Sequence, residues 1–207
     1  MPLNTHYLKE LSDLFVEDLK RSDYYRRLPE DEQRDLDARL TAEALQGLYP
    51  LLPGADEAEL KKLSEAVQEK LGVRLPPALA DILGQVDGFS ENGVSLYGVD
   101  GELRDDRFDS GPGLLAENLL HWSGFPESIQ KYLFVGDSDL WHFAVELVTG
   151  IGVALHKSTL KQAHRFSSVE ELVNDMMQQA LGDLGDETEK PEDEPRNHST
   201  GFHFSRN

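Results

Sequence analysis

A chain of 207 residues, 39% of them hydrophobic, can build one sizeable core with appendages. It has no Cys, which excludes disulfides, thiolate metal sites and a Cys nucleophile. Its 39 acidic residues against 20 basic give a formal net charge of -19. Such a surface repels phosphate backbones and anionic lipid and favours basic partners; the plainer reading is that acidity serves solubility.

Residues 1–15 show no basic stretch followed by an apolar run, so no signal peptide is expected. The apolar runs are a few residues long, against about 20 for a membrane-spanning helix. A cytoplasmic protein with no membrane contact is the expectation.

Leu8, Leu11, Phe15 and Leu19 recur at helical spacing from about Thr5. Pro29 interrupts the pattern and suits the first turn of a second helix, whose stripe is Leu36, Leu40 and Ala44, ending near Gly47. Residues 1–48 thus read as a helical hairpin docked on a main domain, 49–181. Leu60, Leu63, Val67 and Leu71 predict a third helix, closed by Gly72. Leu79, Ile82, Leu83 and Val86 predict a short one ending at Asp87-Gly88.

From Gly93 the period changes to that of strands. Candidates are Val94–Val99, Tyr132–Val135, Trp141–Val148 and Ile151–His156, with a further one near Ala163–Phe166. A helix over Leu114–Trp122, with Leu115, Leu119 and Trp122 on one side, separates the first two. Short links between the later strands favour antiparallel hairpins. Ser168-Val169-Glu170-Glu171 is a capping box opening a last helix, whose Met176 and Met177 read as core. Residues 182–207 are acidic and read as a disordered tail, with Gly201-Phe202-His203-Phe204 either a small docking motif or, on the plainer reading, an ordinary tail end. Helices, then an antiparallel sheet, then a closing helix give an α+β class.

The sequence shows no G-x-S-x-G, P-loop, H-E-x-x-H or G-x-G-x-x-G motif. His142, His156 and His164 fall on or near strands, but His142 and Glu146 on one strand would lie about 13 Å apart, too far to share an ion. Asp137-Ser138-Asp139 reads as a turn, and the acids from Asp100 to Asp109 lack the glycine of a calcium loop. No catalytic residue, metal or cofactor is expected. What remains is a surface: Asp100, Glu102, Asp105, Asp106 and Asp109 beside Tyr97 and Trp122, with Asp137 and Asp139. Aromatic anchors in an acidic rim suit capture of a basic protein. Core packing is the competing reading for both aromatics.

Residues from about Leu60 to Leu181 resemble the SUKH superfamily, which holds fungal cell-wall-synthesis regulators and bacterial immunity proteins. The landmarks are Leu71-Gly72-Val73-Arg74-Leu75-Pro76; Leu83 to Gly88, with Asp87 where the family has Asn; Leu96-Tyr97-Gly98; Phe134-Val135-Gly136-Asp137-Ser138; and the helix after Phe166-Ser167-Ser168. The family's Gly-rich stretch is reduced here to Asp137-Ser138-Asp139. The resemblance implies a mainly antiparallel sheet with flanking helices and a protein-binding role. It points to an immunity protein that neutralises a basic, nucleic-acid-acting toxin by stoichiometric binding, without touching nucleic acid itself. The alternative is an intracellular adaptor or regulatory scaffold.

Overall fold

A computed structural model describes residues 2–104 and 111–182. Among them are seven α-helices and one six-stranded antiparallel sheet, the α+β class expected.

Helix α1, Thr5–Arg21, starts at Asn4, whose side chain accepts from the His6 amide. Its buried face, Leu8 and Leu11, joins the main core, and the Ser12 hydroxyl donates to the Pro50 carbonyl at 2.7 Å. Asn174 fixes the start of the chain by accepting from the Asn4 amide at 2.8 Å and donating to the Pro2 carbonyl at 3.2 Å. The break before the second long helix is wider than the sequence suggested. It opens at Ser22, which caps a short helix α2, Asp23–Arg27, and Pro29 then starts α3, Glu30–Leu45. Of the expected stripe on α3 only Leu40 is buried; Leu36 is half-buried and Ala44 exposed. Polar contacts hold α3 to α1 and α2: Lys20 pairs with Asp37 at 3.0 Å, and the Tyr25 hydroxyl donates to Asp37 at 2.8 Å.

Helix α4, Glu57–Leu71, begins with a full capping box between Asp56 and Glu59, and ends at Gly72, which takes the left-handed conformation (φ 70°) that glycine adopts without strain. Helix α5, Pro77–Leu83, stops a turn earlier than its apolar pattern, at Gly84. The chain then runs on to the sheet with Val86 in the core and the buried Asp87 carboxylate accepting from the Val99 amide at 2.7 Å.

The sheet is a meander: β1 Phe89–Glu91, β2 Val94–Leu96, β3 Tyr132–Asp137, β4 Trp141–Glu146, β5 Ile151–His156 and β6 Gln162–Arg165 lie in chain order. Strand β1 was not anticipated. Its turn residues, Asn92 and Gly93, both have positive φ (47° and 74°), as a two-residue hairpin turn between right-twisting strands requires. Helix α6, Leu114–Gly124, packs on β3, while α7, Val169–Ala180, packs on β2, β5, α1 and α5.

A bulge in β3 decides which side chains meet which helix. The register shifts between Phe134, opposite Ala144, and Gly136, opposite Phe143. Ala144 and Phe143 are adjacent and face opposite ways, so the bulge reverses the usual two-residue alternation. Phe134 faces α6, its ring 4.6 Å from that of His121. Gly136 faces α7, where a Cβ would fall on the Met176 side chain. Met176 and Met177 are fully buried, as expected. Ser168 caps α7, but the Glu171 carboxylate reaches back to the Ser167 amide at 2.6 Å, one residue earlier than a capping box requires.

Candidate partner-binding face

The structure separates the residues that the sequence grouped. Tyr97 and Trp122 are 2% and 7% exposed and belong to the core, so neither anchors a surface; this corrects the expectation. The Trp122 indole donates to the Tyr132 carbonyl at 3.0 Å, and the Tyr97 amide donates to Val135 at 2.8 Å. Asp100 is also buried. Its two oxygens accept from the Leu115 and Ala116 amides, each at 2.8 Å, so it caps α6 from a distant loop. Glu102 is exposed, in a 3-10 turn over Gly101–Leu103. Asp105, Asp106 and Asp109 lie outside the described residues, as does residue 183 onward of the acidic tail. Asp137 is half-buried and pairs with Lys157 at 2.8 Å; Asp139 is exposed beyond it. Between them Ser138 closes the β3–β4 turn, its amide donating to the Trp141 carbonyl at 2.9 Å.

Helix α6 presents a different surface from the one expected. Its inward stripe is Leu114, Leu115, Asn118 and Trp122. Asn118 is fully buried because it bridges helix and strand: it donates to the Leu114 and Phe134 carbonyls at 2.8 and 2.7 Å and accepts from the Phe134 amide at 2.8 Å. With Asn118 turned inward, Leu119 is turned out. Ala116, Leu119, Leu120 and Ser123 follow helical spacing along the outer face, with Leu119 44% and Leu120 64% exposed. Ile129 adds a third exposed apolar side chain just after the helix. Glu117 lies on this helix and Glu127 in the 3-10 turn after it, while Glu102 lines a concavity together with Leu119. This concavity, of about 540 Å³, runs along one flank and is also lined by Lys70, Leu103 and Leu115 among others.

On the other flank, α6 meets the sheet through a polar cluster. The Tyr97 hydroxyl and His121 Nε2 share a hydrogen bond of 3.1 Å, and the rings of His121 and His142 meet edge-on at 4.5 Å. His142 is buried, and its Nδ1 has no hydrogen-bond partner among the described residues. Burial, helped by His121 and Lys157, depresses the His142 pKa to about 4. Burial also lowers the pKa of His121, and raises those of Glu117 and the Tyr97 hydroxyl. Perturbed groups of this kind gather at functional sites, but structural clusters perturb them too. Sequence reasoning passed over His121, because nothing local marks a helix residue that will face a strand. Of the strand histidines, His142 meets neither His156, which packs on Trp141, nor His164, which packs on Phe166. Among the described residues no three His, Asp or Glu side chains gather as a metal site, and no helix is long and apolar enough to cross a membrane.

Comparison with known proteins adds no relative: no protein-family model, no curated protein and no solved structure matches this chain.

Proposed function

We propose that this chain is a protein-binding domain that captures a basic partner on the outer face of α6. The observation that carries this reading is the solvent-facing row of Leu119 and Leu120, flanked by Glu102 and Glu117, on a chain of net charge -19. Exposed apolar side chains in an acidic rim supply desolvated anchors and a steering field together. The sheet and flanking helices have the architecture that the SUKH resemblance implies. On that basis the partner is a toxin domain that acts on nucleic acid, and the chain is a cytoplasmic immunity protein that holds it stoichiometrically. An acidic face suits such a toxin because a cleft built for phosphates is basic.

The reading is tested by isolating what the chain retains and expressing that partner alone and together with it. A one-to-one basic partner, toxic alone and harmless with this chain, supports the proposal. A partner harmless by itself speaks for the second reading, an intracellular adaptor. That reading draws on a separate feature, the exposed leucines at the end of the hairpin.

A further inference from the structure

The end of the hairpin carries an apolar surface that the α6 reading does not use. Leu45, Leu48 and Leu51 are 84%, 55% and 40% exposed. Two concavities meet there, sharing Gly47, Leu48, Tyr49 and Pro50; the larger has a volume of about 610 Å³. Leu51 holds a left-handed backbone conformation (φ 62°) that branched, bulky residues rarely adopt. Its side chain is thus displayed on this surface against the local preference of its own backbone, and strain of this kind gathers where a surface has a task.

We propose that the aromatic end of this chain's own tail, Phe202 and Phe204, docks on this surface. The tail starts in the right place. The Asn92 side chain donates to the Ala180 carbonyl at 2.6 Å, which fixes the end of α7 beside the β1–β2 turn. Strand β1 leads from that turn back to Phe89, which lines a third concavity together with Leu51 and Leu52. Phe89 and Asn92 are three residues apart along the strand, about 10 Å. Gly182 and Phe202 are separated by about twenty residues, which fully extended can span at most about 70 Å. Reach is therefore no obstacle, and tethering at millimolar effective concentration lets even a weak contact form. Apart from Leu184 near its start, the tail has no large apolar side chain before Phe202, so these two rings are its aromatic anchors. The occupied surface would be closed to other proteins, which makes the hairpin a shielded element and leaves α6 as the open face. The proposal is independent of what α6 binds.

The absence of Cys allows a single nitroxide to be placed on the full chain through Ser205→Cys. The expected result is paramagnetic broadening of the Leu45, Leu48 and Leu51 methyl signals several-fold greater than that of Leu119 and Leu120. It should be independent of protein concentration and be abolished by Phe202→Ala with Phe204→Ala. Weak, uniform broadening overturns the proposal, and so does broadening centred on Leu119 and Leu120. Broadening that survives loss of both rings overturns it as well. Broadening of an unlabelled copy mixed with labelled protein would make a second molecule the occupant, and the proposal would fall.

Discussion

Asp100 and Glu102 sit two residues apart in the same acidic loop and do different work. Asp100 is consumed by the first turn of α6, where it accepts from two backbone amides. Its replacement by Ala should cost about 1–2 kcal/mol in urea unfolding, the usual loss for a helix cap. Glu102→Ala should stay within about 0.5 kcal/mol, as an exposed site does. Equal costs for the two would show that Asp100 is not a cap. His142 makes the fold sensitive to acid. Its folded pKa, about 4, lies below the ordinary value of 6.5, so the unfolded chain binds the extra proton first. Its contribution to stability is complete above about pH 6.5 and is lost as pH falls towards 4. His121, also lowered, acts in the same direction, whereas Glu117, raised by burial, acts in the opposite one. Melting temperature against pH should therefore fall less steeply between pH 6.5 and 4 in His142→Leu than in the unaltered chain. Parallel curves would remove His142 from the acid response.

The elements differ in how far they could be read from the sequence. The body and C-terminus of helix α4 were legible, because its stripe and Gly72 point to the same end; its start at Glu57, set by the Asp56–Glu59 capping box, was not read. Strands β3 to β6 were legible to within a few residues from alternation and short turns. Strand β1 was missed although Asn92-Gly93, a strong hairpin signal, was present; its three residues are too few to show a period. On α6 the sequence pattern puts Leu119 on the inward face, but Asn118 takes that side instead, and only its three bonds across to β3 and back along the helix explain its burial. The two aromatics of the expected surface were misplaced for a related reason: sequence proximity to acids says nothing about which side of a sheet a ring enters. The β3 bulge makes a prediction of its own. Gly136→Ala would drive a Cβ onto the Ser95 carbonyl and the Met176 side chain and should destabilise by about 1–3 kcal/mol. Gly124, at the end of α6, has open space around it, and Gly124→Ala should be neutral or stabilising by about 0.5 kcal/mol. Calorimetry of the two variants checks the contrast, and a harmless Gly136→Ala would mean that α7 does not press on β3 as closely as described.

At the scale of the molecule, a surplus of carboxylates surrounds a core shared by α1, α4, α5, the sheet, α6 and α7. Charge of this size acts at long range and speeds encounter with a basic partner, while the short-range hold falls to the exposed leucines of α6. The most direct test is affinity capture from the source cells with the unaltered chain and a Leu119→Asp/Leu120→Asp variant in parallel, eluted by salt. Both leucines are exposed, so the variant should fold. The account predicts a basic protein that the unaltered chain retains, that is released by about 1 M salt, where the screening length is about 3 Å, and that the variant fails to hold. The same proteins on both baits, or a partner that is acidic and indifferent to salt, would contradict it.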